Sequence, residues 1–159
     1  MSSEGHIVLT PSGYNKIEKE LEHLRTVHRR EVAERIRESK QFGEFTENAE
    51  YEDAKIEQAF VEGRIQDLRR ILQVAEILNE SDIPTDHVGI GSVVTVRDLD
   101  LEEEWELQIV GSVESDPEHD RISDESPVGQ ALLGHRIGDV VSVAVPDGQI
   151  RYEIVSIRK

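Results

Sequence analysis

The sequence predicts an α+β protein, in which an N-terminal antiparallel coiled-coil helical hairpin is followed by a small antiparallel sheet domain with one helix. Two observations indicate this fold. Apolar residues recur every three or four positions over residues 11–41 and 48–78, the period of helices that bury one face. Beyond Gly89 the apolar spacing becomes two, the period of strands. The predicted domains are residues 1–80 and 81–159.

The first predicted helix begins at Pro11 and ends near Gln41. Proline suits a first helical position, and the hydroxyl of Thr10 can cap the helix. Gly43 follows as a stop signal. The apolar stripe of this helix contains Ile17, Leu21, Leu24, His28, Val32 and Ile36.

The second predicted helix runs from about Asn48 to Leu78. Two long helices joined by a few residues must run antiparallel, which predicts a hairpin with arms roughly 45 Å long. Pairing the two stripes about the turn places Val32 near Phe60. The second stripe contains Ala54, Val61, Ile65, Leu68, Leu72 and Ala75.

The apolar spacing in the second half of the chain predicts strands joined by turns. The helical pattern ends around Pro84, and Pro146-Asp147-Gly148 is a turn signal. One short helix is expected, with Pro127 at its first position and Gly134 as its stop. Strands are expected around Val93–Val96, Trp105–Ile109, Val140–Val145 and Ile150–Ile157.

Composition excludes several classes of protein. The chain has 18 basic and 34 acidic side chains, a net charge of −16, which argues against direct binding to a nucleic-acid backbone. It has no cysteine, so disulfides and thiolate metal sites are excluded. The N-terminus lacks a signal peptide's basic and apolar regions, and no apolar run is long enough to span a membrane. We expect a soluble, cytoplasmic protein.

The acidic excess is concentrated in the second half. Residues 1–80 hold 12 basic and 17 acidic side chains, whereas residues 81–159 hold 6 and 17. We expect the C-terminal domain to bind a basic surface on a protein partner.

Motifs of self-contained active sites are missing. There is no phosphate-binding glycine loop, no nucleophile elbow and no zinc-protease motif. Asp98–Glu102 resembles the start of a calcium loop, but Glu103 stands where glycine is required, so we expect a solvated hairpin. The six histidines show no ligand spacing, and His28 is expected to be a core or seam residue.

One segment, Gly43–Tyr51, stands out at the expected hairpin tip. Acids in the first turn of a helix stabilise its dipole, and Asn48 is a good cap, so Glu50 needs no other purpose. That explanation does not cover Glu44 and covers Glu47 poorly. Pattern alone leaves a structural and a functional tip equally open.

The same residues resemble the Gre factor family, the bacterial transcript cleavage factors, over nearly the whole chain. The resemblance implies a coiled-coil hairpin and an FKBP-like C-terminal domain. The Asn-Ala-Glu-Tyr run at a hairpin tip is its most specific part. It rests on Leu9–Gly13, Gly43–Tyr51, Ala54-Lys55, Glu62–Ile65 and Ser126–Gly134.

The resemblance implies a function for both domains. The C-terminal domain docks at the secondary channel of RNA polymerase, and the hairpin passes through the channel to the active centre. There it stimulates the polymerase's own hydrolysis of backtracked RNA, so the chain is not itself a complete enzyme. Mg²⁺ is shared with the polymerase and is not a cofactor of this chain alone. We expect a monomer that meets the nascent RNA 3′ end only indirectly.

The resemblance also implies roles for residues of the tip and the arms. Glu44 is the expected principal metal-facing carboxylate, and Glu47 the second ligand or the group that positions water, both only in complex with polymerase. Gly43, Phe45, Asn48, Ala49, Glu50 and Tyr51 shape the tip. Candidates to face RNA are Arg35, Arg37, Lys40, Lys55 and Arg64, with helical surface pairs such as Glu31–Arg35 as the alternative.

One departure keeps an alternative function open. Members of the family usually have Asp and Leu where this chain has Glu44 and Phe45. The added methylene changes the reach of the carboxylate, so a channel binder that inhibits polymerase without cleavage is the alternative. A prolyl isomerase is disfavoured because residues 85–159 contain only Trp105 and Tyr152 as aromatics. A coiled-coil chaperone is disfavoured because the tip lacks a broad apolar patch.

Overall fold

The computed structural model describes residues 7–40 and 49–159. The chain divides into two compact units. The hairpin unit is Tyr14–Val74, and the sheet unit combines Met1–Gly13 with Ala75–Lys159. The domain ranges 1–80 and 81–159 stay a prediction.

The first arm of the hairpin consists of α1 (Pro11–His23), a π-helical turn (Leu24–His28) and α2 (Arg29–Ser39). The helical stretch confirms the prediction, whereas the π turn was not anticipated. Its cause is visible in the stripe: Ile17 and Leu24 are seven residues apart, but Leu24 and Val32 are eight apart. Two α-helical turns span about 7.2 residues, so a wider turn absorbs the surplus.

The second arm is α3 (Ala49–Val74), whose buried residues are Ala54, Val61, Ile65 and Leu68. The predicted extension to Leu78 is wrong, because Glu76–Ile77 forms strand β2 instead.

An apolar seam joins the two arms of the hairpin. Leu24, Val32 and Val61 are buried in it, with Ile65 and Leu68. Phe60 is 68% exposed, whereas Val61 is 1% exposed. The side chain of Phe60, which was expected near Val32, therefore lies outside the buried seam, since the helix turns the neighbouring Val61 into it.

Two short parallel strands, each of two residues, pair with each other within the sheet unit. Strand β1 (Val8–Leu9) pairs with β2 (Glu76–Ile77). The amide of Glu76 donates to the carbonyl of Ile7 at 2.8 Å, and that of Leu78 donates to Leu9 at 2.8 Å. Strands of two residues are too short to show a periodic pattern, and the sequence analysis did not predict this pair.

The main sheet has five strands in the order β5-β4-β3-β7-β6. The predicted strands and helix are confirmed, while β5 was missed and pairs in parallel with β4. The elements are β3 (Val93–Asp98), β4 (Glu103–Val110), β5 (Arg121–Ser123), α4 (Pro127–Leu132), β6 (Val140–Val145) and β7 (Gly148–Arg158).

Helix α4 packs on this sheet and completes its core. The hydroxyl of Ser126 accepts the amide of Gly129 at 3.1 Å, which caps α4 as Pro127 occupies its first position. Within the described residues, no helix has the length and apolar character needed to cross a membrane. The buried core comprises Val88, Val94, Val96, Leu107, Ile109, Ile122, Leu132, Val141, Val143, Tyr152, Ile154 and Ile157.

Candidate functional site

The predicted tip is only partly covered by the described residues. Ala49, Glu50 and Tyr51 open helix α3, with the first two exposed and Tyr51 half-buried. Their predicted tip-shaping role stays a prediction. The other tip residues named from the sequence lie outside the described residues: Gly43, Glu44, Phe45, Glu47 and Asn48.

The start of α3 carries exposed acids. Glu50 and Glu52 lie in its first turn, Asp53 follows, and none of the three forms an ion pair with another described residue. Acids at this end of a helix interact favourably with its dipole. They also make the local field negative beside the tip, which favours a cation there over a free anion.

Three interhelical bridges show that the hairpin arms run antiparallel. Glu20 pairs with Arg64 at 2.9 Å, and Arg29 pairs with Glu62 at 2.9 Å. Arg35 pairs with Glu57. As the residue number rises along the first arm it falls along the second, which is the signature of antiparallel helices.

The salt bridges and hydrogen bonds of the hairpin divide the five cationic side chains that were candidates to face RNA into those that have a partner and those that form no ion pair within the described residues. Arg35 and Arg64 are engaged with acids across the hairpin, and Lys55 donates to the side-chain oxygen of Gln58 at 3.1 Å. The expected helical surface pair of Glu31 with Arg35 is not among the ion pairs of the described residues, because Arg35 pairs with Glu57 across the hairpin. Arg37 and Lys40 are exposed and form no ion pair within the described part of the chain.

Glu57 on the second arm contacts two side chains of the first arm. Its Oε1 lies 2.9 Å from Nε2 of His28, and Oε2 accepts from Arg35. The hydrogen bond from His28 is the main cause that lowers the pKa of Glu57, with the charge of Arg35 contributing. His28 therefore lies at the seam, as predicted.

The sheet unit has an apolar groove of about 330 Å³ that sequence analysis missed. It is formed where β5 leads into α4 and where β6 ends. Gly129 permits the tight approach of α4, since a Cβ there would lie 2.0 Å from the carbonyl oxygen of Ser123. The groove is lined by Ser115, Pro117, Ile122, Ser123, Ser126, Pro127, Val128, Val143, Ala144, Val145 and Pro146.

Acidic residues adjoin that lining along the chain, and none of the lining residues is aromatic. Prolines and valines provide its apolar surface. Trp105 and Tyr152 lie elsewhere and pack on each other, with ring centroids 6.2 Å apart. The only advance signal for the groove was the Ser126-Pro127 capping pattern. The adjoining acids are Asp116, Glu118, Asp124, Glu125 and Asp147.

The turn between β3 and β4 is a solvated hairpin, as predicted. An oxygen of Asp98 accepts the amides of Asp100 at 2.9 Å and Leu101 at 3.1 Å, which completes a local turn. Three of the histidines pair with nearby aspartates in sequence, at 87 with 86, 119 with 116 and 135 with 139. Residues 7–40 and 49–159 contain no group of three side chains that could hold a metal ion.

Comparison with known proteins gives a consistent result over both units. Residues 7–77 match the family described as "Transcription elongation factor, N-terminal", and residues 83–159 match "Transcription elongation factor, GreA/GreB, C-term". A protein of Acetivibrio thermocellus described as "Transcription elongation factor GreA" is 54% identical over 159 residues, which is 100% of both chains.

Two further proteins are similar to this chain over nearly its full length. A protein of Thermoanaerobacter pseudethanolicus with the same description is 53% identical over 153 residues, covering 96% of this chain and 98% of its own. Among solved structures, the GreA factor homolog 1 protein of Thermus thermophilus is 35% identical. It covers 97% of this chain and 99% of its own, with a TM-score of 0.45.

Proposed function

The chain belongs to the GreA/GreB family of transcription elongation factors, and we propose that it enters the secondary channel of bacterial RNA polymerase and stimulates cleavage of backtracked RNA. One observation supports this above all. The acid-rich Gly43–Tyr51 segment falls where the chain passes from Lys40, at the end of the first arm, into the first turn of α3, and the two arms are antiparallel. Helix α3 alone has 26 residues, about 39 Å, which suits a probe for a deep channel.

The groove of the sheet unit is the proposed docking surface on polymerase. Its apolar lining offers area to bury, and the adjoining acids favour a partner surface with basic residues around an apolar centre. Residues 81–159 hold 17 acidic and 6 basic side chains, and this acidic excess also favours a basic partner surface. High salt should therefore slow association.

The tip carboxylates are the proposed reactive groups of this chain. Glu44 is assigned as principal ligand and Glu47 as second ligand or water-positioning group, because carboxylate oxygens suit Mg²⁺. Mg²⁺ held there would polarise the phosphate and lower the pKa of a bound water. The remaining catalytic groups belong to polymerase.

Arg37 and Lys40 are the proposed contacts to the extruded RNA. Both lie in the last turns before the tip and are not engaged with acids within the described residues. Arg35 and Arg64 would have to leave their bridges to bind phosphate, which makes them weaker candidates.

Cleavage in purified, backtracked elongation complexes tests the proposal. We expect the protein to shorten the transcript from its 3′ end, and Glu44→Ala or Glu47→Ala to lower the rate by about a hundredfold while polymerase binding persists. Glu52→Ala is the matched control, because Glu52 is an exposed acid whose position the helix dipole explains.

Two results would contradict the proposal in different ways. Slower nucleotide addition with intact RNA would identify a channel-binding inhibitor. Full cleavage by both tip variants would remove Glu44 and Glu47 from the mechanism while leaving the elongation role in place.

A further inference from the structure

The π-helical turn Leu24–His28 brings two histidines together, His23 and His28. The centroids of their rings lie 6.4 Å apart, with an angle of 49° between the ring planes. On an α-helix, residues five apart point about 140° away from each other, so this spacing gives no ligand signal in the sequence. A π turn closes hydrogen bonds between residues five apart, as the amide of Arg29 does with the carbonyl of Leu24, and so places such residues on one face.

Two imidazoles on one face are a suitable ligand pair for a divalent transition-metal ion. Imidazole nitrogen binds Zn²⁺, Ni²⁺ and Cu²⁺ well, whereas Mg²⁺ prefers oxygen ligands. With metal–nitrogen bonds of about 2.1 Å, two imidazoles that share a tetrahedral ion have ring centroids roughly 5 Å apart. The side chain of His23 is exposed, so a rotation of this side chain closes the difference from the observed 6.4 Å.

The second arm of the hairpin sets the tautomer of His28. Nε2 of His28 lies 2.9 Å from Oε1 of Glu57. An ionised carboxylate only accepts hydrogen bonds, so a neutral His28 donates from Nε2 and keeps its lone pair on Nδ1. Oε2 of Glu57 accepts from Arg35, which holds the carboxylate in place. A carboxylate behind a ligating histidine is the arrangement that orients the ring and raises its basicity in metal sites.

The surroundings of the two rings are compatible with a bound cation. Arg29 and Arg35 lie on the same arm, and each is paired with an acid of α3, which reduces the repulsion of a cation. The side chain of His28 is 29% exposed, so an ion with its water molecules has access. Among the described residues, no side chain or backbone group forms a hydrogen bond with His23 or with Nδ1 of His28.

We propose that His23 and His28 form a two-histidine site for a divalent transition-metal ion such as Zn²⁺, with water completing the coordination. Glu57 is the positioning residue of this site, because it acts through His28. The site lies within the hairpin unit and does not depend on the Mg²⁺ proposed for the tip. An ion that links these two histidines binds the π turn better than a continuous α-helix, and so stabilises that turn.

Calorimetric titration of the untagged full-length protein with Zn²⁺, in excess Mg²⁺, tests the site. We expect one Zn²⁺ ion per chain. His23→Ala or His28→Ala should weaken Zn²⁺ binding by about a hundredfold, because a chelating pair becomes a single ligand. His119→Ala is the matched control and should leave the affinity unchanged, since His119 is an exposed histidine that pairs with Asp116.

Glu57→Gln tests the positioning role. The glutamine oxygen still accepts from Nε2 of His28 but carries no charge, so we expect Zn²⁺ binding to weaken by about tenfold. Nuclear magnetic resonance of the imidazole protons gives a second readout. Zn²⁺ should shift the signals of His23 and His28 and leave those of His119 in place.

His23→Ala decides the matter if His28→Ala does not fold, because the side chain of His23 is exposed. Unchanged Zn²⁺ affinity in His23→Ala, or the absence of a one-to-one site in the unmodified protein, would overturn the proposal. The double variant Glu44→Ala, Glu47→Ala should bind Zn²⁺ like the unmodified protein. Loss of binding in that variant would assign the ion to the tip carboxylates and also overturn the two-histidine site.

Discussion

Among the described residues, the ion pairs of the hairpin unit are all partly exposed, whereas the sheet unit has one largely buried pair beside its exposed ones. On the hairpin, Arg29 and Glu62 bridge the two arms with side chains 43% and 46% exposed. In the sheet unit, Arg121 and Glu114 pair with side chains 24% and 4% exposed. Exposed pairs contribute little and are screened by salt, whereas a buried pair is costly to break. The hairpin thus depends on its narrow apolar seam, and the sheet unit on a continuous core.

The largest effect is expected in the core of the sheet unit. Leu107→Ala removes a side chain that is 1% exposed and leaves a cavity among strands, so the free energy of unfolding should fall by about 2–5 kcal/mol. Denaturant unfolding followed by the fluorescence of Trp105 measures it, because this tryptophan packs against that core. Leu101→Ala, at a residue 68% exposed, should change stability by less than about 0.5 kcal/mol.

A smaller loss is expected in the hairpin seam. Leu68→Ala should lower the stability of the helices by about 2–3 kcal/mol, since a two-helix seam can partly close around the missing atoms. Helical circular dichroism during thermal unfolding measures it. Phe60→Ala removes a larger side chain, yet at 68% exposure it should cost less than about 0.5 kcal/mol. Equal losses would mean that Phe60 belongs to the seam.

The smallest effect is expected at Glu57. Its lowered pKa means that the bridge stabilises the fold fully above the unfolded value of about 4.5 and loses this contribution as pH falls through the folded pKa. Wild type should exceed Glu57→Gln in stability by less than about 1 kcal/mol at pH 6, and the difference should shrink as the pH falls through the folded pKa of Glu57. Thermal unfolding at several pH values measures it. A difference that does not shrink as the pH is lowered from 6 would exclude titration of Glu57 as its source.

Local patterns predicted the hairpin and the sheet because their information lies within a few residues. The three-to-four spacing from Ile17 onward encodes a buried helical face, and the Ser126-Pro127 pair encodes a helix start. Phe60 shows the limit of such patterns. It and Val61 are equally apolar neighbours, and only the accumulated helical rotation decides which one enters the seam.

Features of long-range origin were not predictable in this way. The two-residue pairing of Val8–Leu9 with Glu76–Ile77 has no periodic signal. The sequence also did not show which acid each cationic side chain pairs with. Arg35 has an acid one helical turn away in the sequence, but it pairs across the hairpin. The groove of the sheet unit combines segments from residues 115–128 and 143–146, which no local pattern joins.

The sequence by itself determined the family, the hairpin with its acidic turn and the sheet that follows, because motif and periodicity are local properties of the chain. Only the tertiary structure decided which charges are engaged and which stay exposed. Glu114 is one of 34 acidic residues and has no distinguishing neighbours in the sequence. It becomes a buried partner of Thr10 because folding brings residues 104 positions apart into hydrogen-bond contact, where the loss of water makes every polar partner necessary.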